Sequence, residues 1–235
     1  MSALQASGFS YEASCCRAGS SRMVASTAAG NAECWTPARH MYHPVMENPV
    51  PSTLRTARLL LRSWDASDAP ALRPILEANA AHLTPWIPAH VATAVPLPAL
   101  AERLAGFAAD FTAGRAWRYA LLTPDARRIL GEVDLFPRAA SGRVPYPEAD
   151  RAEIGYWLDQ GATGQGLARE AAEAMLTVAT TCPGLTQVEI RCSATNTPSA
   201  RVPERLGFEL AAVEAGLQIW SMPLGPIARA GVSGR

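Results

Sequence analysis

The chain has no surplus of either charge: 21 Lys and Arg residues meet 21 Asp and Glu residues in a total of 235. Phosphate-backbone binding draws on clustered positive charge, so no nucleic acid partner is expected. No apolar run reaches the ~20 residues that cross a bilayer, so no membrane partner is expected either. Cysteine is sparse and odd in number, with five residues at Cys15, Cys16, Cys34, Cys182 and Cys192. That spacing fits neither a zinc site nor a disulfide framework, so no metal is expected. A reducing, cytoplasmic setting is the economical reading. Cys182 and Cys192 fall in apolar-periodic stretches and read as small buried hydrophobes. There is no internal repeat, no heptad run and no clean signal peptide; Glu12 and the lack of a long apolar centre argue against the last.

Nearly half of the chain is apolar (49%), enough for a substantial core in one domain. Residues 1–52 are dominated by Ala, Ser, Gly, Pro and Cys and hold no apolar period. They read as a disordered N-terminal extension, with Met41 or Met46 as alternative starts. Residues 53–224 read as the domain, and residues 225–235 as a loose tail.

Within 53–224 the elements alternate. Residues 58–62 read as a strand, followed by a helix start in which Asp65, Ser67 or Asp68 is the cap. Helices are expected over 69–78 and 97–113, with a loop or broken helix over 82–88 between them. Strands follow over 117–122 and 129–136, joined by the turn Pro124-Asp125-Ala126-Arg127. A loop over 138–150, a strand over 152–159, a helix over 164–181, a strand over 187–192, a helix over 197–206 and a final strand pair complete the chain. The order β-α-α-β-β-β-α-β-α-β-β implies a mixed α/β (α+β) sheet with helices on its faces.

The six residues Gly164-Gln165-Gly166-Leu167-Ala168-Arg169 sit between the strand ending near Leu158 and the next helix. A glycine-rich turn at a helix N-terminus leaves backbone N–H groups free, and the helix dipole adds partial positive charge. Such a turn is a phosphate cradle. A dinucleotide fingerprint is excluded by order: the turn lies two-thirds along the chain, and the next strand ends in Cys192-Ser193-Ala194 without the acidic residue.

Further pieces follow in a particular order. They are Arg58-Leu-Leu-Leu-Arg62 with Asp65 and Asp68, Ile129-Leu-Gly-Glu-Val-Asp134, Glu153-Ile-Gly-Tyr-Trp-Leu158, the glycine turn with Glu170, Asn196-x-x-Ser199 and Leu206-Gly-Phe208. In this the chain resembles the GNAT superfamily of acetyl-CoA-dependent N-acetyltransferases, and within it the RimJ/RimL type. The resemblance covers residues 53–224. The broader superfamily places Gln or Arg three residues before the first glycine of the turn; here that position is Gly161, with Gln160 beside it.

The resemblance implies a GNAT fold, with a mostly antiparallel sheet of about six to seven strands, about four helices and splayed central strands. It implies bound acetyl-CoA. N–H groups of Thr163, Gly164, Gln165, Gly166, Leu167 and Ala168 would hold the pyrophosphate, and the strand at Trp157 and Leu158 would bond the pantetheine arm like an added strand. Asn196 would anchor the pantetheine or its own loop.

Acyl transfer to an amine needs a neutral amine, a polarised carbonyl and a stabilised leaving thiolate. Ser199 is the expected proton or hydrogen-bond donor to that thiolate; its alternative is a serine of the helix cap. Glu153, or the pair Glu132 and Asp134 on one strand face, is the expected base. A solvated sheet face is the alternative for each carboxylate. Tyr156 is a further possible donor or a core aromatic. Glu170 and Glu173 read as partners of the helix dipole.

The expected activity is direct transfer in a ternary complex to a protein N-terminus or a small amine, by a monomer or homodimer. The rival readings are a catalytically weak CoA-binding sensor or interaction domain, and a module binding NAD or ATP.

Overall fold

The computed structural model describes residues 49–225, all within one compact unit. The extension upstream of residue 49 and the tail beyond residue 225 lie outside the described residues. In chain order the elements are β1 (Thr53–Arg55), β2 (Leu60–Ser63), α1 (Ala69–Ala78), α2 (Ala80–Leu83), α3 (Ala89–Ala92), α4 (Leu97–Thr112), β3 (Trp117–Leu122), β4 (Ile129–Ala139) and β5 (Gly142–Arg143). Then come β6 (Arg151–Leu158), α5 (Leu167–Thr180), β7 (Gln187–Ser193), α6 (Thr197–Leu206), β8 (Glu209–Glu214) and β9 (Leu217–Pro223).

The strands form one sheet in the order β1-β2-β3-β4-β6-β7-β9-β8, with β5 paired to β4. Every pair is antiparallel except β6 with β7. Nine strands and six α-helices are described, more than expected from sequence. The surplus is made of β1, β5, α2 and α3, each two to four residues long. Elements that short complete no hydrophobic period, so no pattern marks them.

Alternation along the strands separates two cores. Leu59, Leu61, Trp117, Tyr119, Val133, Leu135, Ile154 and Leu158 face α5. Leu60, Ala120, Leu122, Ile129 and Trp157 face α1 and α4, where Leu72, Leu76, Leu100 and Leu104 are buried. The chain enters α1 through a capping box. The Asp65 carboxylate accepts from the Ser67 N–H (2.9 Å), and the Asp68 carboxylate accepts from the Asp65 N–H (2.9 Å). Pro70 lies in the first turn of α1, and Pro74 leaves the helix continuous to Ala78.

Two details carry no mark in the sequence. Val50 is 4% exposed, and Tyr119 donates to the Pro51 carbonyl (2.6 Å), so residues 50–52 belong to the domain rather than to the extension. A single apolar residue followed by proline carries no period by which to recognise it. Within β4, the register with β3 slips between Leu121 and Leu122. Here Gly131 has φ +153°, and a Cβ on it would stand 2.1 Å from the Trp157 carbonyl oxygen. Only glycine allows β4 to lie this close to β6.

Candidate active site

β6 and β7 pair over Arg151–Ile154 and Gln187–Ile190 only. Beyond Ile154, β6 keeps β4 on one side, as far as Leu158 opposite Gly131, and among the described residues has no strand on the other. β7 continues with β9 to Ser193 opposite Leu217. The sheet therefore splays at its one parallel pair and leaves an unpaired backbone edge at 155–158. A cleft of about 1260 Å³ opens there, and Tyr156, Trp157 and Leu158 form part of its wall.

The floor of the cleft is the glycine turn. Gly164 (φ +73°) and Gly166 (φ +77°) are both left-handed, a backbone hand that other residues adopt at a cost. Gly166 is the N-cap of α5, and among the described residues no side chain caps the helix. Among the described residues its first-turn N–H groups thus have no side-chain acceptor, and Thr163, Gly164, Gln165 and Gly166 are exposed in the wall of the cleft. The position where the superfamily has Gln or Arg lies in a 3-10 turn, Gln160–Ala162, held by the Gln160 N–H to Asn79 Oδ1 (2.7 Å).

A contact unmarked in the sequence holds this turn. Glu170 accepts from the Thr56 hydroxyl (2.5 Å), the Arg58 N–H (2.8 Å) and Arg58 Nε (2.7 Å). Arg58 Nη1 also donates to the Gln165 carbonyl (2.9 Å). Burial pulls the Glu170 carboxyl upward, but the bonds from Thr56 and Arg58 outweigh it and hold it below its ordinary value. The β1–β2 connection and the cradle are thus one assembly, joined across 112 residues of chain.

At the other end, Asn196 caps α6: its Oδ1 accepts from the Ser199 N–H (3.2 Å). The Ser199 hydroxyl donates to Tyr156 Oη (3.2 Å), and Tyr156 Oη donates to the Ser199 carbonyl (3.0 Å). Burial pushes the Tyr156 phenol well above its ordinary value, against a smaller pull from Ser199, so it stays protonated at neutral pH. Asn196, Ser199 and Tyr156 all line the cleft. Burial likewise raises the Cys192 thiol nearby, which keeps it from the thiolate form a nucleophile needs.

Glu132, Asp134 and Glu153 are not among the residues lining this cleft. Alternation does put Glu132 and Asp134 on one strand face, but that face is packed under α4. Glu132 accepts from Trp64 Nε1 (2.6 Å) and from Arg118 Nη1 (3.2 Å). Arg118 also stands 3.7 Å from Asp134 Oδ2, with Phe107 and Phe136 against its guanidinium. The buried Asp134 Oδ1 has no hydrogen-bond partner among the described residues. Burial raises this carboxyl well above the usual range, and Glu132 pushes the same way against the pull of Arg118. Glu153 has both oxygens engaged, by Arg138 (2.6 Å) and Arg143 (2.9 Å). These arginine partners were missed because a strand pattern names faces but not cross-strand register. Arg118 lies directly opposite Asp134 on β3.

Trp86, in the segment between α1 and α4, lines the cleft and is 42% exposed. The segment 138–150 instead forms β5 and a 3-10 turn, with Tyr146 buried. Among the described residues no group of three or more His, Cys, Asp and Glu could hold a metal, and no helix is long and apolar enough to cross a membrane.

A mixed sheet splayed at one parallel pair, with a glycine turn opening a helix below the gap, defines an acyltransferase fold. Residues 58–209 match the family model described as "Acetyltransferase (GNAT) domain". The chain belongs to the GNAT acetyltransferase family, and it is an N-acetyltransferase by that membership. Among curated proteins no sequence matches the chain. Solved structures share the fold. Mycobacterium smegmatis RimJ in complex with a CoA disulfide aligns with TM-score 0.64 and 24% identity, over 76% of this chain and 90% of that one. RimL, the ribosomal L7/L12 alpha-N-protein acetyltransferase in complex with coenzyme A, aligns with TM-score 0.59 and 21% identity over 74% and 97%. The microcin C7 self-immunity acetyltransferase MccE, in complex with acetyl-CoA and AMP, aligns with TM-score 0.60 and 17% identity over 75% and 98%.

Proposed function

We propose that the protein moves the acetyl group of acetyl-CoA to a primary amine in one ternary complex, as an enzyme of the RimJ/RimL type working in the cytoplasm. The observation that carries this reading is the meeting of three features in one cleft: uncapped N–H groups, an unpaired strand edge and a hydroxyl pair. The fit to the donor is chemical. Gly164 and Gly166 leave space where a Cβ would stand, with nothing or only the end of Arg58 within 4 Å. N–H groups from Thr163 to Ala168 suit a pyrophosphate, and the open edge at Trp157 and Leu158 suits the amides of a pantetheine arm.

Acetyl-CoA supplies an activated acyl group on a thiol leaving group. The Ser199 hydroxyl, kept at the strand edge by Tyr156 and by the Asn196 cap, turns from Tyr156 Oη and donates its proton to the sulfur as it leaves, recovering one from solvent. Of the three carboxylates, Asp134 alone has an oxygen without a hydrogen-bond partner among the described residues, and we assign it the ammonium proton. Its Oδ2 stands 3.3 Å from where a Cβ on half-exposed Gly155 would be, so glycine keeps the approach open. Glu132 and Glu153 then set the local field.

RimL bears the name of a ribosomal L7/L12 alpha-N-protein acetyltransferase and MccE that of a self-immunity acetyltransferase, which supports an acceptor among protein N-termini and small amines. A thiol-release assay with acetyl-CoA, run against N-terminal peptides and small amines, tests the reading. Release with at least one amine is expected. No release with any of them, together with no calorimetric binding of acetyl-CoA, overturns it.

A further inference from the structure

The sheet face that holds Asp134 carries more arginine than its carboxylates answer. Gly155 is the floor there: a Cβ on it would stand 3.3 Å from Asp134 Oδ2 and 3.4 Å from the Phe136 ring. Arg143 of β5 lies over that ring, 3.5 Å from its centroid, and its side chain is 48% exposed. Glu153, directly opposite Phe136, answers three guanidinium groups at once: Arg138 (2.6 Å), Arg143 (2.9 Å) and Arg191 (3.8 Å). Arg138 Nε is buried and among the described residues has no hydrogen-bond partner. Arg191 also reaches Glu189 (2.8 Å), but Arg151 shares that carboxylate (3.4 Å) and has Asp150 as well (2.9 Å). Arg103 of α4 donates to the carbonyls of Val91 (3.2 Å) and Thr93 (3.0 Å). The His90 ring registers the result. Desolvation lowers it from its ordinary value first, and Arg118, Arg103 and Arg143 push it the same way. A bare cation meets repulsion at such a mouth, whereas an amine that carries its own anion is drawn in.

Resting on the acetyl-transfer reading, with Asp134 taking the ammonium proton, we propose that the acceptor is an acidic peptide N-terminus whose second or third residue, Asp or Glu, pairs with Arg143. Asp134 and Phe136 are alternate residues on one face of β4, so the ring under the guanidinium lies about 7 Å along the strand from the base. An extended peptide rises about 3.3 Å per residue, so a side chain one or two residues past the amine spans that distance. Such a side chain gives Arg143 a carboxylate of its own and relieves Glu153, which three arginines share. Arg143 is thus a specificity-determining residue, and polyamines and other polycations are excluded as acceptors.

Steady-state kinetics of the full chain with acetyl-CoA tests this on a set of peptides that differ only at their second and third residues, as Glu-Glu, Gln-Gln or Lys-Lys, beside spermidine. In wild type kcat/KM is expected to fall from the Glu to the Gln to the Lys peptide by about fivefold at each step, the scale of a half-exposed ion pair, and mostly through KM. In Arg143→Glu the order of the Glu and Lys peptides is expected to invert, and in Arg143→Lys to persist, with CoA affinity unchanged in both. The wild-type series stands whether or not Arg143→Glu folds. Equal kcat/KM for the Glu and Lys peptides in wild type overturns the proposal, as does an order that folded Arg143→Glu leaves intact. Spermidine as the best acceptor overturns it too, and so does acetyl-CoA binding without turnover of any peptide. No turnover of any acceptor together with no calorimetric binding of acetyl-CoA overturns the acetyl-transfer reading instead.

Discussion

Ser199 and Tyr156 bond each other twice: the serine hydroxyl donates to the phenol oxygen at 3.2 Å, and the phenol donates to the serine carbonyl at 3.0 Å. One residue sits on the first turn of α6 and the other on the unpaired edge of β6, so the pair bridges the mouth of the splay. The phenol is the resting acceptor of the serine proton, which must turn from it to reach a sulfur in the cleft.

Ser199→Ala is expected to lower turnover by about 10²-fold, the usual scale for a lost general acid, with CoA affinity little changed. Tyr156→Phe removes the acceptor but keeps the donor, and a smaller fall in the same direction is expected. Steady-state kinetics beside CoA titration check both. Unchanged turnover in Ser199→Ala removes the residue from the mechanism.

Asp134 sits buried with an unsatisfied oxygen, facing Glu132 and Arg118 and within the field of Arg143 and Glu153. Its folded-state pKa is raised, so the folded state holds the proton more tightly than the unfolded one. Stability from this group is present below the unfolded value and is lost as pH rises through the folded value. Asp134→Asn is therefore expected to raise Tm above that window while lowering turnover. Thermal melts at pH 5 and pH 8 beside activity measurements check the pair of signs. A lower Tm at pH 8 contradicts it.

Glu170 behaves oppositely. Its carboxyl is held low, so the stability it adds is present above the unfolded value and is lost as pH falls through the folded value. Glu170→Gln and Arg58→Ala are expected to lower Tm at neutral pH and to weaken CoA binding about tenfold, because the cradle loses its tie to the Gln165 carbonyl. Calorimetry at pH 7 reads both effects; intact CoA affinity in Arg58→Ala argues against the tie.

Gly131→Ala places a methyl 2.1 Å from the Trp157 carbonyl oxygen in a backbone region closed to other residues. A loss of about 2 kcal/mol or more is expected, measured as a lower urea midpoint. A midpoint equal to wild type rejects the close approach of β4 and β6.

Elements with a full period and a marked end were legible in the sequence. α1 runs over Ala69–Ala78 and β3 over Trp117–Leu122, with the expected bounds. The turn residues Gly164 and Gly166 stood out because glycine spacing is itself the signal. What was hidden depends on pairs distant along the chain. Arg58 meets Glu170 across 112 residues, and Arg118 meets Asp134 through a hairpin register that slips by one residue. No local pattern encodes either pair, so Glu170 read as a partner of the helix dipole and Asp134 as a candidate base on a strand face, without its arginine.

The alternation of β6 has a kinetic consequence. Tyr156 faces the α5 side of the sheet, while Gly155 lies opposite Asp134 on the α4 side. With the roles assigned above, one substrate surrenders its proton behind the sheet and the other receives one in front, so the two enter by separate doors. A compound that jams the amine's door leaves the thioester's free. Such an inhibitor competes with the acceptor and not with the donor, and a drug screen can sort its hits by that pattern alone.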